Sequence, residues 1–96
     1  MFARLTTFRI KPDRLEDFRT WRRANETEIY AQPGLRHWIG LVSEDGQAFV
    51  VAIFDGVQAA CDAAPAARAL WNQFADMVDE EPTSRFLEVM AAKGLE

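Results

Sequence analysis

The order in which two hydrophobic periods alternate along the 96 residues constrains the fold more than any other feature of the sequence. Residues 2–10 alternate with period two and include aromatic and β-branched side chains, which is typical of a β-strand. Residues 13–31 carry apolar side chains at spacings of three and four, which predicts an amphipathic helix. Asp13 and Glu16 have the spacing of a capping box at its start, and Pro33-Gly34 ends it.

A β-hairpin is predicted next. Strands are expected over residues 35–42 and 48–54, because both segments are rich in β-branched and aromatic side chains. The Asp45-Gly46 pair between them is typical of a tight hairpin turn. A last strand is predicted over residues 84–90.

A second helical pattern lies between the hairpin and the last strand, from residue 55 to about residue 78. Pro65 predicts a break in it, because proline is not tolerated in an undisturbed helix interior. We therefore expect a short helix, an interruption and a new start at Pro65, where proline suits the first turn. Pro82 ends the pattern.

The resulting order is β-α-β-β-α-β, which predicts one α+β domain over residues 1–96 with a ferredoxin-like fold and a four-stranded antiparallel sheet. Helices would cover one face of this sheet. The strand over residues 35–42 is apolar on both faces, and residues 48–54 are apolar without interruption. A second copy of the same sheet is the most economical cover for the other face, which predicts a homodimer through the sheet.

Composition argues against several classes of function. The net charge of −4 argues against nucleic-acid binding, which depends on basic side chains. Cys61 is the single cysteine, which excludes an intrachain disulfide and a metal site built on several thiolates. No run approaches the roughly 18 apolar residues of a membrane span, and Arg4 and Arg9 interrupt the first ten residues, so no signal peptide is expected. A cytoplasmic location is the expectation.

Three segments carry a resemblance to a known family. They are FRIKPDRLEDF over residues 8–18, the Pro-Gly-Leu turn over residues 33–35 and VVAIF over residues 50–54. With these segments the chain resembles, over residues 2–90, the dimeric α/β-barrel proteins of the antibiotic-biosynthesis-monooxygenase type. The resemblance implies a pocket between the sheet and its helices. It also implies chemistry such as cofactor-free oxygenation of aromatic polyketides and quinols, haem degradation or small-molecule isomerisation.

The haem-degrading members of that family carry a ligand histidine on the second helix. This sequence has Ala-Ala-Pro-Ala-Ala over residues 63–67 and no histidine in that helix. We therefore expect no haem by that route, no other cofactor and no metal.

His37 is the candidate catalytic residue, because it is the side chain whose ordinary pKa lies near neutral pH. If its face of the strand looks into the pocket, it could act as a general base on a phenolic proton. The alternative is a structural histidine in a half-buried strand. Trp38 and Trp71 are candidates for stacking a planar substrate, although aromatic residues at these spacings are more often part of the core.

Arg4 and Asn25 are candidates for holding substrate oxygens. Arg4 could bind a carboxylate or an oxyanion, or it could reach the edge of the sheet and pair with an acid from the second half of the chain. The ion pair is the interpretation that the sequence favours. Asn25 falls on the apolar stripe of the first helix, where an amide is costly unless it is hydrogen-bonded. It would hold a ligand oxygen or tie the helix to a strand.

Two functions remain open at this point. The first is a cofactor-independent monooxygenase-like enzyme acting on a phenol or quinol, in which deprotonation makes the ring reactive toward oxygen and the protein supplies a base and a water-excluding pocket. The second is a module that binds or senses a small apolar or aromatic ligand without changing it.

Overall fold

The computed structural model describes residues 1–94. Within these residues the chain forms the strands β1 (Phe2–Arg9), β2 (Leu35–Val42), β3 (Gln47–Phe54) and β4 (Thr83–Glu88). The helices are α1 (Leu15–Ala24), α2 (Glu26–Tyr30), α3 (Val57–Asp62) and α4 (Ala64–Gln73). Short 3₁₀ turns occupy Pro12–Arg14 and Ala75–Met77.

The four strands form one antiparallel sheet in the order β2-β3-β1-β4. The two helical regions follow β1 and β3, so the predicted β-α-β-β-α-β order and the ferredoxin-like α+β fold are confirmed. β2 spans the residues predicted for it.

The helices pack on the face of β1 that carries Arg4, Thr6 and Phe8, all of which are buried. In β3, the residues paired with these three are Ala52, Val50 and Ala48. Side chains directly opposite each other share a face of the sheet, so these β3 residues also face the helices. Because they are small, they leave room for large side chains from the helices.

An aromatic cluster fills the space between the helices and the sheet. Its ring centroids lie between 4.6 and 5.8 Å apart. Its members are Phe8, Phe18, Trp21, Trp71 and Phe74. Each such pair adds about 0.5–1.5 kcal/mol beyond the area that it buries, so the rich supply of aromatic residues in this short chain is concentrated where it stabilises helix packing.

The break predicted in the second helical region is present. α3 ends at Asp62, α4 begins at Ala64, and Pro65 lies in the first turn of α4. The missing N–H of a proline costs nothing there, because the first N–H groups of a helix have no intrahelical partner.

The first helical region differs from the continuous helix predicted over residues 13–31. It starts with a 3₁₀ turn and is divided at Asn25, whose φ of −109° and ψ of 14° lie outside the helical range. The side-chain amide of Asn25 donates to the Trp21 carbonyl at 2.8 Å. Asparagine side chains compete for backbone hydrogen bonds in this way, which favours helix ends over helix interiors.

The second helical region ends earlier than predicted, at Gln73 and the following 3₁₀ turn. Val78 is extended and forms a bridge with Ile10. The Lys11 N–H donates to the Met77 carbonyl at 2.9 Å, and the Asp79 N–H donates to the Arg9 carbonyl at 3.0 Å. Backbone groups of this segment therefore pair with the end of β1 instead of continuing a helix.

The opposite face of the sheet is apolar and has no helix of residues 1–94 packed on it. Leu41 is 54% exposed, Phe49 38% and Leu87 37%. By register, the larger side chains on this open face include Leu5, Arg9, His37, Ile39, Leu41, Phe49, Val51, Ile53, Arg85 and Leu87. The prediction that both faces carry apolar side chains is confirmed, whereas the homodimer stays a prediction.

Across the described part of the chain, no helix combines the length and the apolar character needed to cross a membrane.

The hairpin turn generates a test of the fold. Gly46 has φ of +92°, and a Cβ atom there would lie 2.2 Å from the Ile10 carbonyl oxygen, which is close to where the Ile10 N–H donates to the Gly46 carbonyl at 2.8 Å. Gly46→Ala should lower the free energy of unfolding by about 1–3 kcal/mol, because the backbone is strained and the side chain clashes. Gly56→Ala is the control for urea denaturation, since a Cβ there meets nothing within 4 Å. Equal midpoints for the two variants would contradict the described turn.

Candidate functional site

Arg4 is the least satisfied side chain in the described structure. It lies on the helix side of β1 and is 5% exposed. Its Nη2 donates to the Gln32 Oε1 at 3.2 Å, and its guanidinium carbon lies 5.3 Å from the centre of the Phe54 ring. Its Nε and Nη1 are buried and have no hydrogen-bond partner among residues 1–94. Three N–H bonds of a charged group are therefore unpaired in the interior.

None of the ion pairs among residues 1–94 involves Arg4. The described residues therefore contradict the interpretation that it pairs with an acid from the second half of the chain. Burial lowers the pKa of Arg4 from its ordinary value, because the charged form loses hydration. Burying a charge without a counter-ion costs several kcal/mol. An anion placed against Nε and Nη1 would recover much of that cost.

Gln32 holds Arg4 in place and was not found by sequence reasoning. It is 6% exposed, and its Nε2 donates to the Ile29 carbonyl at 3.0 Å while its Oε1 accepts from Arg4. Both ends of the amide are thus fixed. The residue lies in the irregular segment between α2 and β2, where no hydrophobic period marks which side chains are buried, so the sequence carried no signal for it.

A cavity beside this pair and two larger grooves lie in this part of the molecule, and each groove shares lining residues with the cavity. A central cavity of about 30 Å³ lies between the two helical regions and the sheet, and Arg4 and Gln32 form part of its wall. The α1–β2 groove, about 430 Å³, lies on one side of it and is lined by residues such as Phe18, Arg22, Tyr30 and Trp38. The α4–β4 groove, about 450 Å³, lies on the other side and is lined by residues such as Arg4, Trp71, Asn72 and Phe86.

The volumes decide what each space can hold. The central cavity has room for about two water molecules and is too small for an aromatic ring. Each groove falls within the range of about 300–1,000 Å³ that is typical of small-molecule sites. A ring bound near Arg4 must therefore extend from the central cavity into a groove.

The structure brings three of the predicted site residues together. Arg4, Trp38 and Trp71 all line the central cavity. Trp38 lines both the central cavity and the α1–β2 groove, and Trp71 lines both the central cavity and the α4–β4 groove. The Trp38 ring lies over Gly40, where a Cβ atom would come within 3.0 Å of it.

His37 lies on the other face of the sheet. It pairs with Ile53 and shares the open face with Ile39 and Leu41, and it lines none of the three spaces. His37 could act as a base in the pocket only if its face of β2 looked toward the helices. Within one chain this condition is not met. Alternation along a strand already implies this outcome, since Trp38 and His37 are consecutive and cannot face the same way.

Asn25 also lies outside the three spaces. Its Nδ2 donates to the Trp21 carbonyl, and its own backbone N–H donates to the same oxygen at 3.0 Å. The side chain therefore closes the end of its own helix and neither reaches a strand nor faces the cavity.

No group of three or more His, Cys, Asp or Glu side chains that could hold a metal ion occurs within residues 1–94.

Comparison with solved structures identifies the fold. A protein from Nitrosomonas europaea provisionally named antibiotic biosynthesis monooxygenase superposes with a TM-score of 0.79 at 17% identity, covering 95% of this chain and all of that one. A protein of unknown function from the same organism gives 0.81 at 19% identity, covering 96% and 91%. A protein from Caulobacter crescentus, also provisionally named antibiotic biosynthesis monooxygenase, gives 0.77 at 14% identity, covering 94% and 90%.

No protein-family model matches the sequence, and no curated protein matches it. At identities below 20%, the structural likeness concerns the fold. The chain has the ferredoxin-like fold of the antibiotic-biosynthesis-monooxygenase type, as the resemblance had implied.

The position of Asn25 generates a prediction. Asn25→Leu should lower the free energy of unfolding by about 0.5–1.5 kcal/mol, because one hydrogen bond is lost while the Trp21 carbonyl keeps its backbone partner. Binding of an aromatic ligand between the sheet and the helices should not change, because Asn25 lines none of the three spaces. Urea denaturation measures the first effect, with Thr20→Leu at an exposed position of α1 as the control for leucine itself. Unchanged or increased stability together with weaker ligand binding would instead assign Asn25 to the site.

Proposed function

We propose that the chain is a cofactor-independent monooxygenase-like enzyme that acts on a small phenol or quinol between the sheet and the helices. The observation that carries this proposal is the buried guanidinium of Arg4, two of whose nitrogens have no hydrogen-bond partner among residues 1–94, beside a cavity with aromatic walls. Such a group favours an anionic oxygen over a neutral one, and the aromatic walls favour a planar ring. A phenolate combines both features.

Arg4 would take the place of a general base in this reaction. A free phenol has a pKa of about 10, as tyrosine has, and an opposite charge within about 4–6 Å lowers such a pKa by about 1–3 units. The bound phenol would therefore lose its proton to solvent with a pKa of about 7–9. His37, on the other face, is not needed for this step.

The remaining chemistry belongs to the substrate. A ring carbon of the electron-rich phenolate forms a bond to one atom of O₂, and the resulting peroxide takes up a proton. Loss of water then breaks the O–O bond and the C–H bond at that carbon. A phenol and O₂ thus give a quinone and water, and no further reductant is required. Trp38 and Trp71 would pack the ring and exclude water, and Gln32 would position Arg4.

The second candidate function is a module that binds an aromatic anion without converting it. It uses the same Arg4 site, and it is favoured by one observation, namely that His37 does not line the cavity. Oxygen consumption with hydroquinones distinguishes the two functions, because a binding module consumes no more oxygen than buffer does.

A chromogenic phenol tests the proposed role of Arg4. The apparent pKa of 4-nitrophenol, read from the absorbance of its phenolate, should fall by about 1–3 units on binding to the wild-type protein. Arg4→Met should abolish this shift and weaken binding, because the cation is removed while an apolar stem of similar length remains. Arg23→Met, at an exposed position of α1, is the control and should behave as wild type. An unshifted pKa in the wild type, or an equal shift in Arg4→Met, would contradict the proposal.

We also propose that the chain forms a homodimer through its open face. Four strands about 4.8 Å apart, with about 3.3 Å per residue, present roughly 450 Å² of flat area. Two copies would together bury about 900 Å² of flat area, without the additional surface of protruding side chains. This is close to the roughly 1,000 Å² of a stable pair. The central cavity and the α4–β4 groove contain none of the open-face residues Ile39, Leu41 and Phe49, so they would stay open in such a dimer.

The assembly is tested by its mass in solution. Sedimentation equilibrium at micromolar concentration should give twice the chain mass of 10.9 kDa. Leu41→Asp should shift the protein toward monomer, because it places a charge in an apolar interface. Val57→Asp, at a similarly exposed apolar residue of α3, should leave the dimer intact. A monomeric wild type would rule out this assembly.

A further inference from the structure

The two grooves differ in whether Arg4 belongs to their walls. The α4–β4 groove is lined by Arg4 and the α1–β2 groove is not, although their volumes are nearly equal. We infer that the α4–β4 groove is the binding groove for an aromatic anion, that the anionic oxygen lies on Arg4, and that Phe86 selects the ring. This inference rests on the proposed function, because it uses the same guanidinium.

Phe86 is the second unusual side chain of this groove. In register it is the direct cross-strand partner of Arg4, so both lie on the helix side of the sheet. It is 45% exposed there, because the helices cover β1 and β3 but leave β4 exposed along its whole length. An apolar ring without cover thus lies next to a buried cation without a counter-ion. One planar anion satisfies both, which neither a neutral ring nor a small inorganic anion can do.

The rest of the groove supports a flat ligand. Trp71 lines it from α4 and Phe86 lines it from β4, so aromatic surfaces are present on both sides. Ser84 is hydrogen-bonded to Thr6 at 2.9 Å and is therefore already paired. Asn72 is exposed on α4 and belongs to this groove alone. Because Phe86 lies on the helix side, a dimer formed through the open face would not cover it.

Blocking each groove separately tests the assignment. Asn72→Trp places a large ring in the α4–β4 groove, and Val42→Trp places the same ring in the α1–β2 groove, at residues that are exposed and therefore tolerate substitution. Equilibrium dialysis of 4-nitrophenol, read from its absorbance, should show affinity at least about tenfold lower for Asn72→Trp and unchanged for Val42→Trp. Phe86→Ala should lower affinity by about tenfold, the upper range for one aromatic contact. 4-Nitroanisole, which cannot ionise, should bind weakly to all of them.

The outcomes separate this inference from the proposed function. Suppose that Arg4→Met loses binding and that, among the groove variants, Val42→Trp is the one that weakens it. The ligand then occupies the α1–β2 groove, so the inference is wrong while the proposed function stands. The inference is equally wrong if all groove variants lose affinity for 4-nitrophenol to the same extent. It is also wrong if Arg4→Met loses affinity and every groove variant keeps it. If Arg4→Met binds as wild type does, the proposed function fails and this inference fails with it. Circular dichroism melts of each variant verify that the comparison concerns folded protein.

Discussion

The antiparallel pairing of β1 on both of its edges is the constraint on which the rest of the structure depends. β1 pairs with β3 over its whole length and with β4 from Phe2 to Thr7. This double register fixes which side chains face the helices, because opposite residues share a face. The register places Phe8 in the aromatic cluster and Arg4 in the wall of the central cavity. The core and the candidate site are therefore consecutive parts of one strand face.

Local patterns predicted most of the fold. Alternation identified the strands, and Pro65 correctly divided the second helical region, because the stereochemistry of proline acts through its immediate neighbours. One error, the division of the first helical region at Asn25, came from a local side-chain hydrogen bond, and the other occurred where distant residues compete with local preference. The segment after Phe74 left the helix because the ends of β1 offered its backbone other partners. No local pattern carries that information.

The candidate site was predictable only in part, for the same reason. Arg4, Trp38 and Trp71 were named from residue type and face, and they meet at one cavity. The sequence favoured an ion pair for Arg4, because burial without a counter-ion is rare and depends on the whole packing. Gln32 was missed because a loop residue has no period. His37 was chosen for its chemistry, although the choice of Trp38 for the same pocket already excluded it by alternation.

The irregularity in β2 has a consequence for which chemistry this scaffold can host. The pairing shifts between Leu35 and His37, so Leu35 and Trp38 both face the helices although they are three residues apart. Bulges of this kind re-aim side chains next to functional sites. If the extra residue lay in the hairpin turn instead, the register of β2 would advance by one, and His37 would face the cavity where Trp38 now lies. A single-residue slip thus separates a pocket that stabilises an anion by charge from one that could remove its proton with an imidazole.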